Sequence, residues 1–135
     1  MVVILGCSAT HARPVGALAV RNDSGQSVRV EIDRPAGFAG PRQTVAWVPP
    51  WRAGWCPAAH IGLTDQGSAS TLAASRITIS GPSLSGPVTL PGSSTDVLKG
   101  GLSLTIDASG VLRSANPEPP MPTTPCAAYP LSTGP

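Results

Sequence analysis

The chain has 135 residues, a length that suits one domain. Gly (15) and Pro (16) make up almost a quarter of it, which excludes a helical bundle or coiled coil and favours a small β-rich core. The net charge is only +2, and the basic residues are too scattered to hold a nucleic-acid backbone.

The chain begins with a short apolar stretch that ends in Ile4-Leu5-Gly6-Cys7. This stretch resembles the lipobox of bacterial lipoproteins, in which the cysteine becomes the lipid-carrying N-terminus of the mature protein. The resemblance implies lipidation of Cys7, with residues 1–14 acting as a signal remnant and a polar tether. The apolar stretch before Cys7 is shorter than the roughly 7–15 apolar residues that a secretory signal needs. We therefore expect the signal to begin further upstream, at an in-frame start codon before Met1. The alternative is a first strand over residues 1–5, followed by an ordinary buried cysteine.

The other two cysteines, Cys56 and Cys126, form an even pair once Cys7 is lipidated. A disulfide between them is then the economical interpretation for an exported protein. Closing so long a loop would stabilise the fold by about 4 kcal/mol in the chain-entropy account. Two reduced cysteines in a cytosolic protein are the alternative.

Alternating apolar and polar residues predict strands throughout residues 15–113. The pattern is clearest over residues 27–33, and Asn22-Asp23-Ser24-Gly25 before it predicts a hairpin with residues 15–20. Further strands are predicted, in chain order, over 43–48, 61–64, 76–80, 86–90, 102–107 and 111–113, and residues 69–74 are compatible with one helical turn. This series of short strands separated by turns predicts an all-β domain. The expected fold is a small antiparallel β-sandwich of immunoglobulin-like architecture, and a small barrel is the alternative.

Residues 114–135 are rich in proline and have no core-forming pattern. They predict an extended, irregular C-terminal tail. Cys126 lies within this tail and is the main feature expected to hold it to the domain.

All three tryptophans fall within residues 47–55. One interpretation is an exposed platform in which Trp51 and Trp55 stack on a sugar ring while Arg52 adds hydrogen bonds or a cation–π contact. The other is an apolar plug, since large aromatic side chains contribute much buried area to a small core.

The sequence indicates no catalytic residues, metal site or cofactor. Cys56 and His60 could supply two metal ligands, with Cys126 as a third, but the predicted disulfide would use both cysteines. We therefore expect a non-catalytic, lipid-anchored protein of the bacterial cell envelope, with a structural or partner-binding β-domain. The membrane is its expected partner through the lipid, together with a cell-wall glycan or an envelope protein. The alternative is a soluble, secreted carbohydrate-binding module that uses residues 47–55, the Trp-rich loop.

Overall fold

The computed structural model describes residues 17–37, 40–62, 74–91, 101–114 and 125–134. They form eight strands, listed in chain order as β1 (Ala17–Asn22), β2 (Val28–Asp33), β3 (Gln43–Val48), β4 (Ala59–Gly62), β5 (Arg76–Ser80), β6 (Val88–Pro91), β7 (Gly101–Ile106) and β8 (Leu112–Ser114). The first sheet has the order β4-β1-β7-β8 and the second has the order β3-β2-β5-β6. The predicted all-β sandwich is confirmed.

Side-chain alternation places the core between the two sheets. In β2, Val28, Val30 and Ile32 are fully buried, whereas the residues between them are half-buried. Buried residues of both sheets form one hydrophobic cluster. Strands with one buried and one partly solvated face are typical of antiparallel sheets packed in a sandwich.

The predicted hairpin between the first two strands is wrong. β1 pairs with β4 and β7 in the first sheet, whereas β2 pairs with β3 and β5 in the second. The segment between them therefore crosses from one sheet to the other as an arch. None of residues 22–27 has the positive φ that a tight two-residue hairpin turn requires, although Gly25 could adopt it.

The sandwich is not wholly antiparallel, because β1 runs parallel to β7 along its full length, from Ala17 beside Gly101 to Asn22 beside Ile106. The other ladders are antiparallel. A parallel pair cannot be joined by a tight turn, and here the two strands are far apart in the chain. Their pairing brings the beginning and the end of the β-domain together.

The remaining predicted strands are found within a few residues of their expected ends. The third and fifth strands match at both ends, and β4 begins two residues earlier than expected. The helical turn expected over residues 69–74 lies almost entirely outside the described residues. The described ranges contain no helix that is long and apolar enough to cross a membrane.

Residues 125–134 are irregular, as predicted, yet they pack closely against the sandwich. Ala127 and Ser132 each form an isolated β-bridge, to Trp55 and to Trp47 respectively. Tyr129 belongs to the hydrophobic core. The expectation that this tail contains nothing that builds the core is therefore wrong.

Candidate functional site

The Trp-rich loop crosses one end of the sandwich, from β3 in the second sheet to β4 in the first. The Trp51 backbone N–H donates to the Asn22 carbonyl over 2.8 Å, which ties the loop to the end of β1. Trp51 and Trp55 are partly buried and pack against the core. The loop is thus continuous with the core at this end of the molecule.

Trp51 is fixed by contacts at its edge and its ring face. Its indole Nε1–H donates to the Cys56 carbonyl over 3.0 Å. The Arg21 guanidinium carbon lies 4.0 Å from the ring centroid, in a cation–π contact. Arg21 is itself oriented by an ion pair of 2.8 Å with Asp23. One face of Trp51 is therefore covered by a cation of the same chain.

Trp55 packs against residues 125–134, the C-terminal segment. Its ring centroid lies 5.4 Å from that of Tyr129, with an angle of 41° between the planes. The guanidinium carbon of the exposed Arg52 lies 5.8 Å from the Trp55 centroid. The structure thus brings Arg52 and Trp55 together, while Trp51 takes a different arginine as its neighbour.

The predicted disulfide between Cys56 and Cys126 is present, with 4.8 Å between the two Cα atoms. Backbone hydrogen bonds surround it: the Cys56 N–H donates to the Ala127 carbonyl over 2.7 Å, and the Ala127 N–H donates to the Gly54 carbonyl over 2.9 Å. The covalent bond and these hydrogen bonds hold the C-terminal segment against the Trp-rich loop.

Tyr129 is the component of this region that the sequence does not predict. Its side chain is buried, and its hydroxyl donates to the Pro49 carbonyl over 2.7 Å and accepts from the Asn22 N–H over 3.2 Å. Burial raises the pKa of Tyr129 to about 12. The one available signal is that it is the only tyrosine of the chain and lies three residues after a predicted disulfide cysteine.

Asn22 organises the same end of the sandwich and is fully buried. Its amide nitrogen donates to the carbonyls of Gln26 and Val48 over 2.8 and 2.9 Å. Its amide oxygen accepts from the backbone N–H and the hydroxyl of Ser24, over 2.9 and 2.6 Å. One side chain therefore shapes the arch after β1 and joins it to the end of β3.

A small cavity of about 310 Å³ lies beside the disulfide and is lined by Cys56, His60, Tyr129, Leu131 and three alanines. The His60 side chain is exposed. Within the ranges that the structure describes, no three His, Cys, Asp or Glu side chains are grouped as a metal site. Cys7, the predicted lipidation site, lies outside those ranges.

No family model, curated protein or solved structure matches this chain.

Proposed function

We propose that this protein is a non-catalytic component of the bacterial cell envelope, anchored to a membrane by lipid on Cys7. The observation that carries the proposal is the Cys56–Cys126 disulfide. Structural disulfides form and persist in oxidising compartments and are rare in the cytosol of mesophiles. The bond therefore supports export of the chain.

The disulfide also supports the role given to Cys7. Of the three cysteines in the chain, it leaves only Cys7 outside the pair. Cys7 is also the residue that follows the lipobox-like Ile4-Leu5-Gly6. Acyl chains on this cysteine would hold the domain at a membrane surface, with the polar residues 8–14 as a spacer.

In this proposal the β-sandwich has a structural or partner-binding role, with a cell-wall glycan or another envelope protein as its partner. The arrangement of the Trp-rich loop favours a plug over a platform. Trp51 is covered by Arg21 on one face and is packed against the core. A sugar ring that stacks on an aromatic side chain needs a free ring face.

The second candidate function is a secreted carbohydrate-binding module, and the exposed Arg52 beside Trp55 favours it. Tryptophan fluorescence separates the two. A plug predicts blue-shifted emission, weak quenching by iodide and no response to soluble cell-wall glycan fragments. Emission that is readily quenched and changes as such fragments are added would support the module instead.

Lipidation is tested by expressing the gene with its native upstream sequence in its own host and analysing the N-terminal peptide by mass spectrometry. We expect the mature chain to begin at an acylated Cys7 and to fractionate with membranes. The Cys7→Ser variant should lose both properties while keeping the disulfide. An unmodified Cys7 within a longer N-terminal peptide would contradict the proposal.

A further inference from the structure

The small cavity beside the disulfide lies at one edge of the first sheet, between β4 and the C-terminal segment. Its volume is about 310 Å³, and none of the residues that line it is Asp, Glu, Lys or Arg. Cys56 and Tyr129 form part of its wall, and much of the rest is alanine. The three alanines are Ala58, Ala59 and Ala128. Because alanine side chains are short, they do not fill the space between β4 and the C-terminal segment.

Leu131 lines the same cavity and is nevertheless 39% exposed. In the ranges that the structure describes, Leu131 and Val111 are the two large apolar residues classed as exposed. The neighbouring Ala127, Ala128 and Pro130 are exposed as well, and residues 125–134 contain no charged residue. Apolar surface of this kind marks interaction sites in proteins. An apolar cavity and an exposed apolar side chain therefore lie next to each other on one uncharged patch.

We propose that this patch is the interface of a twofold symmetric homodimer, in which Leu131 of each copy inserts into the cavity of the other. Apolar cavities of about 150 Å³ hold a benzene-sized molecule. The present cavity of about 310 Å³ therefore has room for a leucine side chain. A twofold interface needs the inserted group and its cavity on the same patch, because the same contact is made twice. Leu131 and the cavity meet this requirement.

The chemistry of the patch favours a second copy over a membrane surface. No Lys or Arg lines the cavity to attract anionic lipid headgroups. Two copies of an uncharged surface approach each other without the repulsion that like charges cause across an interface. The exposed Leu131 loses contact with water when it enters the cavity, and this burial stabilises the dimer. The inference rests on the cavity and on Leu131, and it does not depend on the lipid anchor.

The test is sedimentation velocity of the disulfide-bonded full chain at protein concentrations from about 1 µM to about 1 mM. The Cys7→Ser form is used, so that no disulfide joins two copies through the third cysteine. We expect a reversible equilibrium between monomer and dimer within this range. In NMR spectra at the same concentrations, the amides of Ala58, His60 and Leu131 should shift as the dimer forms. A chain that stays monomeric at the highest concentration would overturn the proposal.

Two variants test how the copies meet. Leu131→Ser removes the inserted side chain and should weaken dimerisation by about tenfold or more. Ala128→Leu adds apolar surface to the patch but enlarges a side chain of the cavity wall, so it should weaken dimerisation as well. Both positions are exposed, so both variants are expected to fold, and their spectra would show it. An Ala128→Leu dimer as tight as the original, or tighter, would overturn insertion into the cavity.

The matched control is Val111→Ser, because Val111 is 47% exposed and lies next to β8, at the opposite edge of the first sheet. This variant should dimerise as the original form does. Equal weakening by Val111→Ser and Leu131→Ser would indicate nonspecific association and overturn the proposal. A monomeric chain that binds phosphatidylcholine vesicles, and loses this binding in Leu131→Ser, would assign the patch to a membrane surface instead.

Discussion

Asn22 is the residue on which one end of the sandwich depends. It is fully buried and satisfies carbonyl and N–H groups of the arch and of the end of β3 at the same time. Its own backbone carbonyl accepts from Trp51, and its backbone N–H donates to the Tyr129 hydroxyl. A buried polar group that loses its partners costs more than an ordinary hydrogen bond contributes. A polar side chain is therefore required at this apolar end.

Replacing Asn22 with Ala should lower the free energy of unfolding by about 3 kcal/mol, because it leaves several buried polar groups without partners. The matched variant is Ser24→Ala, which removes one hydroxyl from the same network and should cost about 1 kcal/mol. Urea denaturation of the two variants gives the comparison. Equal losses would show that the Asn22 side chain does not organise the arch.

Tyr129 makes an independent prediction at high pH. Burial is the main cause of its raised pKa of about 12, against an ordinary value near 10. The unfolded state therefore loses the phenolic proton first, and the free energy of unfolding should fall as the pH rises from about 10 to about 12. Because Tyr129 is the only tyrosine, phenolate absorbance reports it alone. A midpoint near pH 10 in the folded protein would contradict its burial.

At the scale of elements, side-chain alternation predicts which segments are strands, and it does so for most of the chain. It does not predict their partners, because alternation determines which face of a strand is buried and not the sheet to which the strand belongs. The arch between β1 and β2 shows this. Asn22-Asp23-Ser24-Gly25 suits a hairpin turn equally well, and the buried hydrogen bonds of Asn22 decide between the two.

The turn between β7 and β8 joins two strands that the sequence predicts. The Asp107 carboxylate accepts from the N–H groups of Ser109 and Val111, each over 3.0 Å, and pairs with Arg113 over 3.0 Å. These contacts, of which the hydrogen bond from the Ser109 side chain has the largest effect, hold the pKa of Asp107 well below its usual range. Gly110 completes the turn with a φ of +84°.

Gly110→Ala should destabilise the protein by about 3 kcal/mol or more. The added Cβ would lie 1.9 Å from the Ser83 carbonyl oxygen, and the positive φ is itself unfavourable for alanine. Gly25→Ala is the matched control, since its Cβ would meet nothing within 4 Å and its φ is not positive. Thermal denaturation should show a change within about 0.5 kcal/mol for the control. Similar losses in both variants would contradict the close approach of the turn to Ser83.

At the scale of the whole molecule, the C-terminal segment closes the end of the sandwich formed by the arch and the Trp-rich loop. The disulfide, Tyr129 and two β-bridges hold it there. The count of cysteines predicts the disulfide, but nothing in the Pro-rich sequence predicts the position of Tyr129.

Removing the disulfide tests how much this closure contributes. The Cys56→Ala/Cys126→Ala double variant should lose about 4 kcal/mol of unfolding free energy, since the two residues are 70 positions apart and the bond restricts the unfolded chain. Cys7→Ala is the control and should be as stable as the unchanged protein. Urea denaturation under non-reducing conditions measures both, and a double variant as stable as the control would contradict the role given to the bond.

The most direct test of export is the state of the three cysteines in protein taken from its own host. Cells are lysed in an alkylating reagent, and the peptides are mapped by mass spectrometry without reduction. The account predicts peptides of Cys56 and Cys126 joined by a disulfide, with Cys7 carrying lipid. Alkylated Cys56 and Cys126 together with an alkylated Cys7 would place the protein in a reducing compartment and contradict the account.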